Sequence, residues 1–435
     1  MKKLLLIMGL SFLALSTLTA EIDKPKRFFE VGMDFNASVS ENLLGVTEVM
    51  QKDLVIDLPK IYSEMGRGGF KFNMAVQPSY FMNLYIDGWG IGTRTDISFS
   101  GGFGISKDFF KLLAEGNSLD EDMKIATSFN MQAFLSQSIS VGLNLNGFKV
   151  KITPSYFLPL LYMPDPHIAL NVRMNSDGQI KASADGVFSV YTLADLSESL
   201  NGKSVSMEEL QDALTALSTD DLLEQVKSVL LLGAGIDLAA SVQYPLLENL
   251  DIGAYTSLQI IPGTLHNKIS SGFDFSAESE NGILDWYTSN DEDKGDNPFT
   301  TDGTNLTDIV AEKTEYKVSK PFRFGVEAAW RPIGNWFVLH PMLGVAMRNP
   351  IGSEGFSWER VYPEYRLSVD MTFLYVLGLS VSTEYMNQVF AHTLGLSLNT
   401  RVFELDASVG VSGADFFKSF TVRGLQANVG FRLGI

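Results

Sequence analysis

From Glu364 to Ile435 the chain alternates apolar and polar residues with few breaks. Tyr365, Leu367, Val369, Met371 and Phe373 share one phase, and Arg366, Ser368, Asp370 and Thr372 share the other. The pattern restarts at Leu377, Leu379 and Val381, at Leu394, Leu396 and Leu398, and at Phe403, Leu405, Ala407, Val409 and Val411. It closes with Leu425, Ala427, Val429, Phe431, Leu433 and Ile435. Period two over about ten residues is a β-strand with two unlike faces. Repeated strands of that length, apolar on one face and rich in Gly, Ser, Asn and charge on the other, predict an all-β, antiparallel transmembrane β-barrel. A soluble sandwich alternates too, but its strands run to about five or six residues.

The same period marks 29–39, 69–86, 89–105, 148–156, 168–174, 179–191, 234–244, 250–261, 322–331 and 336–347. Residues 123–145 hold a single phase across Ser136-Gln137-Ser138, which predicts one strand long enough to protrude beyond the bilayer. The expected count is about 14–16 strands. Leu43 to Met50 suggests a short helix, a loop helix or a small plug, with Pro59 ending whatever follows. Lys107 to Glu115 reads as an amphipathic helix stopped by Gly116. Ser206 and Glu209 form a capping box. Leu210, Leu214 and Leu217, then Leu222, Leu223 and Val226, follow at helical spacing. Residues 262–320 carry twelve Asp and Glu against five Lys and read as an exposed acidic loop.

With the C-terminus periplasmic, the chain threads so that tight turns near 87, 146, 176, 246, 333, 375 and 400 fall on the periplasmic side. The long connections, near 40–68, 106–122, 192–232, 262–320 and 348–363, fall outside. That asymmetry is the one membrane barrels show. Trp89, Trp330 and Trp336 sit beside the expected periplasmic turns, where an aromatic girdle belongs.

Composition narrows the picture. Lys2 and Lys3, the apolar run Leu4 to Leu15 and the small residues up to Ala20 form a signal peptide, with cleavage expected after Ala20. The expected domains are therefore 1–20, the signal, and 21–435, one outer-membrane barrel of a diderm bacterium. The formal charge of −18 argues against nucleic acid as a partner. With no cysteine, disulfides, thiol catalysis and a lipid-bearing N-terminal Cys are excluded.

No catalytic, cofactor-binding or metal-ligating constellation emerges. His167, His266, His340 and His392 are far apart and read as isolated loop or lumen histidines. The acidic run from Asn290 to Asp296 has Lys294 before Gly295 and lacks the bidentate Glu of a calcium loop. The chain is therefore not expected to be an enzyme. Charges on the polar phase are candidate lumen-lining groups: Glu30, Asp34, Arg94, Asp96, Arg323, Glu327, Arg366, Asp370, Glu384, Glu404, Asp406 and Arg432. In a wet channel they tune solute preference; paired across the lumen, they hold it shut. The apolar helices over 206–231 are candidates for gathering a greasy ligand at the mouth.

The layout of signal peptide, strands, broken segment at 40–68 and apolar helices in external loops resembles the outer-membrane long-chain fatty acid transporter family. That resemblance implies uptake of hydrophobic compounds through a monomeric barrel with an N-terminal plug and a lateral exit. No motif carries binding residues over: the strand 29–39 comes first in the mature chain, and the last residue is Ile435. A general diffusion porin and a structural or adhesive surface protein, with 262–320 as its contact, are the alternatives. Expected partners are outer-membrane lipid, the barrel-assembly machinery and a hydrophobic small-molecule ligand.

Overall fold

The computed structural model describes residues 27–41, 58–65, 69–86, 88–116, 121–164, 168–175, 179–193, 233–278, 300–306, 310–347, 358–400, 402–413, 416–420 and 423–435. The signal segment, the helical stretches expected at 43–50 and 206–231, and the run 290–296 lie outside these residues. The strands are β1 (Phe29–Glu41), β2 (Phe70–Ile86), β3 (Trp89–Ile105), β4 (Asp122–Leu145), β5 (Phe148–Met163), β6 (Ile168–Met174) and β7 (Ile180–Thr192). There follow β8 (Gly235–Leu247), β9 (Leu250–Ile261), β10 (Gly263–Glu278), β11 (Thr300–Leu306), β12 (Val310–Val318) and β13 (Phe322–Trp330). Last come β14 (Phe337–Met347), β15 (Val361–Phe373), β16 (Leu377–Met386), β17 (Val389–Asn399), β18 (Phe403–Gly413) and β19 (Gly424–Gly434). Among the described residues three short α-helices accompany them, α1 (Leu58–Glu64), α2 (Lys107–Glu115) and α3 (Phe416–Ser419), with one 3-10 turn at Trp358–Arg360.

The pairings close into a ring. It runs β1, β2, β3, β4, β5, β8, β9, β13, β14, β15, β16, β17, β18, β19 and back to β1, every neighbour antiparallel. That is fourteen staves, at the lower end of the expected range. Closure leaves no edge, which lets a sheet stand in lipid with its backbone satisfied. On one phase of the staves the apolar side chains stay open: Met33, Phe35, Val39, Leu343, Leu394, Leu396, Val409 and Leu425 are between 39% and 64% exposed. That phase faces outward, toward lipid, and the charged phase faces the lumen.

One side of the barrel is tall. β4 has 24 residues where β16 has 10, so the expected single strand at 123–145 is present. Above the ring, β4 pairs with β6, β6 with β7, β7 with β10, and β10 with β11 and β12. Three sequence expectations change here. The hairpin at Asn175, closed by Gln179 C=O accepting from Asn175 N–H at 2.8 Å, lies at the end opposite the chain termini, not on the periplasmic side. The segment 262–320 is not one loop, because β10, β11 and β12 fall in it. The break near 192–232 does not join two staves: β7 and β8 lie end to end and together make one stave.

Beyond the bilayer the outward apolar residues of the tall side need another cover. The amphipathic α2 supplies it, placing Phe109 and Leu112 on Met123, Ile125 and Val172. It ends where the Gly116 N–H, at φ 79, bonds the Leu112 carbonyl at 3.0 Å. Pro59 sits in the first turn of α1, which its fixed φ suits, so it starts this helix and does not end one. α1 packs on α2, with Lys107 Nζ donating to the Met65 carbonyl at 2.9 Å; this part of the broken segment is no plug.

Candidate functional site

The lumen is the candidate site, and its charges fall into connected groups. The largest spans five adjacent staves, β18, β19, β1, β2 and β3. Arg432 Nη1 stands 2.5 Å from both Glu404 Oε1 and Asp406 Oδ2, and its Nη2 is 3.5 Å from Asp34. Arg94 bonds Asp34 at 3.2 Å, Asp96 at 2.9 Å and Ser79 Oγ at 2.6 Å. Arg27 lies 3.3 Å from Glu30 and 3.4 Å from Glu404. The guanidinia of Arg94 and Arg432 each lie 5.7 Å from the Phe81 ring centroid, one cation–π contact apiece. Arg27, Glu30, Asp34, Ser79 and Glu404 are all buried. Burying charge is tolerable only with such multiple partners. Glu30, Asp34, Arg94, Asp96, Glu404, Asp406 and Arg432 from the sequence reading thus stand in one network. Arg27 was missed because it precedes the first alternating residue.

The other candidates pair locally. Arg323 Nε lies 3.2 and 3.3 Å from the two Glu364 oxygens, and its Nη2 donates to Asn387 Oδ1 at 2.6 Å. Arg366 meets Glu384 at 2.7 Å, Glu327 accepts from Gln243 at 3.0 Å, and Asp370 is 3.2 Å from His340 Nε2. Glu364, buried and in phase with Arg366, was legible in the alternation but absent from the expected set.

A second feature was not foreseen. Where β7 ends and β8 begins, a seam runs through the wall. Phe157 stands opposite Gly235, and a Cβ on Gly235 or Gly263 would come within 2.2 or 2.8 Å of the Phe157 ring. Glycine at both positions lets the ring lie across the seam. Leu158, Leu193, Leu265 and Val318 form a buried cluster there. Beside it Tyr316 lies between Tyr162 and Tyr191, with centroids 5.0 and 4.2 Å away. Lys320 closes the lumen side: its Nζ is 2.7 Å from Asp237, 3.4 Å from Ser136 Oγ and 3.9 Å above the Phe157 ring. The sequence signal was a Phe on the polar phase of its strand between Pro154 and Pro159.

His392 departs from its expected place. It shares the outward phase with Leu394, not the lumen. Its Nε2 is 2.8 Å from Ser419 Oγ and its Nδ1 2.9 Å from Thr383 Oγ1. Ser419 is fully buried and donates its own proton to the Phe416 carbonyl at 2.5 Å. The His392 Nε2–H therefore donates to Ser419, and Nδ1 accepts from Thr383, an assignment fixed by the network. In that arrangement the imidazole holds the serine and does not serve as its base.

No family model and no curated protein matches the sequence. Similar folds occur among solved structures. The P. putida toluene transporter TodX is 9% identical, covering 94% of this chain and 89% of that chain, with a TM-score of 0.47. The Ralstonia pickettii toluene transporter TbuX is 7% identical over 94% and 90%, with a TM-score of 0.46. A Pseudomonas aeruginosa FadL homologue is 8% identical over 93% and 89%, with a TM-score of 0.41. These are likenesses of barrel architecture.

Proposed function

We propose that the chain is an outer-membrane channel that takes up small hydrophobic compounds, long-chain fatty acids among them, through a lumen closed to free diffusion. The carrying observation is Lys320. Its ammonium pairs with Asp237 on the lumen side and stands 3.9 Å above the Phe157 ring, so aromatic surface lies directly beside a lumen otherwise lined with paired charge. Ion pairs of this density oppose a wide water-filled path. Tyr162, Tyr191 and Tyr316 offer a greasy solute roughly 25 cal/mol per Å² of apolar area withdrawn from water. In this reading the helices that the sequence predicts over 206–231, between β7 and β8 in the chain, gather the solute at the mouth. The seam then passes it sideways into the membrane.

The test is purified protein in a planar lipid bilayer, titrated with salt and with a long-chain fatty acid. The reading expects low conductance and saturable fatty-acid binding that is lost when 206–231 is deleted or Tyr316 becomes Ala. A large steady conductance indifferent to the fatty acid would overturn it in favour of a diffusion porin.

A further inference from the structure

A barrel's outer wall is convex, yet across β15 to β19 it carries a groove of about 580 Å³. Leu367, Val369, Val381, Leu394, Val409 and Leu425 line it, and Phe420 overhangs it. The volume is within the roughly 300–1,000 Å³ typical of small-molecule sites. Every apolar liner is on the lipid-facing phase, so the surrounding solvent is the hydrocarbon of the membrane.

The overhang is built, not incidental. Phe416 packs edge-on to Phe390 and His392, with centroids at 5.5 and 5.3 Å, and Phe420 stacks on His392 at 3.9 Å and 16°. A histidine on the lipid face is expensive unless its polar atoms are satisfied. Here both nitrogens are bonded, to Thr383 and Ser419, and the second bond ties α3 to the wall. His392 lies three residues inside the end of β17, so the overhang hangs over the groove from the far-end membrane interface. Phe417, at 80% exposure, and Phe420, at 54%, point apolar rings into that zone, as aromatic residues at a membrane interface do.

We propose that this groove is a binding site for one acyl chain of a membrane phospholipid, held under an aromatic overhang that His392 pins to the wall. The apolar floor recognises the chain, and the opening toward the interface leaves the headgroup in water. This site is on the opposite side of the wall from the lumen and does not depend on the transport reading.

The experiment uses the full mature chain in phosphatidylethanolamine–phosphatidylglycerol vesicles doped with a phosphatidylethanolamine bearing a diazirine on one acyl chain. After irradiation, label is mapped by peptide. Label is expected on the peptides holding Leu394, Val409 and Leu425 at several times the level on the wall around Met74, Met82 and Ile91. Val409→Trp, which fills the groove, and His392→Ala, which frees the overhang, each bring it down to that background. Heat-modifiable migration on gels confirms that each variant is a folded barrel. Even labelling around the wall, or groove labelling untouched by both substitutions, overturns the proposal as ordinary annular lipid. Groove labelling by a free diazirine fatty acid that phospholipid fails to displace overturns it in favour of a solute site.

Discussion

Arg432 on β19 and Glu404 on β18 stand directly opposite each other, and their 2.5 Å contact sits where Glu404 is 1% exposed. The same guanidinium serves Asp406 and Asp34. Arg432→Ala therefore takes one guanidinium from three carboxylates at once, while Glu404 keeps Arg27 and Asp34 keeps Arg94; removing one partner of a buried pair costs about 3–5 kcal/mol. The urea midpoint of the purified barrel is expected to fall accordingly. Arg432→Met with Glu404→Met is expected to lose less than Arg432→Ala alone, because the buried Glu404 carboxylate is removed together with the guanidinium that faces it. Equal losses would show that the pair's charge contributes little.

Lys320 touches three staves, so its removal should be felt as a leak and not only as instability. Lys320→Met leaves Asp237 without its ammonium and frees the Phe157 ring. Single-channel conductance in a planar bilayer is expected to rise severalfold over wild type, and Lys320→Arg to stay near it. An unchanged Lys320→Met conductance would place the closure elsewhere in the lumen.

The seam makes a sharper packing forecast. Gly235→Ala puts a methyl where the Phe157 ring lies, an overpacking that costs about 1–3 kcal/mol. Phe157→Leu removes the obstructing ring edge at a cost of its own. Since the two residues touch, their effects are expected not to add: the double variant should be more stable than the sum of the singles predicts. Additive losses in urea unfolding would contradict the contact.

Lipid made most of the wall legible in the sequence. Where a stave crosses the bilayer, hydrocarbon demands an apolar outward residue at every second position, and Leu394, Val409 and Leu425 record it. Above the bilayer that demand lapses. Lys268, Ser270 and Asp274 on β10 alternate with nothing distinctive, so a strand there reads as loop. The turn at 175–179 announced a hairpin without saying at which end of the barrel. The paired charges were visible one by one, through phase, but their partners were not: Arg94 finds Asp34 two staves away. The seam depends on β7 and β8 sharing a stave across the 42 residues from 193 to 234, which no local period encodes. His392 was misread because a polar residue suggests the lumen, whereas its phase with Leu394 pointed outward.

The turn from Phe373 to Val376 carries the last expectation. It closes with Val376 N–H donating to Phe373 C=O at 3.1 Å, and both central residues are left-handed, Leu374 at φ 52 and Tyr375 at φ 58. At the β4–β5 turn Asn146 and Gly147, at φ 51 and 92, take the same role with residues suited to it. A side chain forced left-handed costs about 1–2 kcal/mol, so Leu374 and Tyr375 hold strain that sequence could relieve. Tyr375 is 95% exposed and near the tryptophans of this rim, so its ring also has an interface to anchor in. The two contributions separate by environment. In detergent micelles Tyr375→Gly is expected to raise unfolding stability by about 1 kcal/mol. In lipid vesicles the gain should shrink, because the ring's place at the interface is lost. Leu374→Asn keeps that ring and should stabilise the barrel in both. A Tyr375→Gly barrel less stable than wild type in micelles would mean the left-handed turn is not under strain.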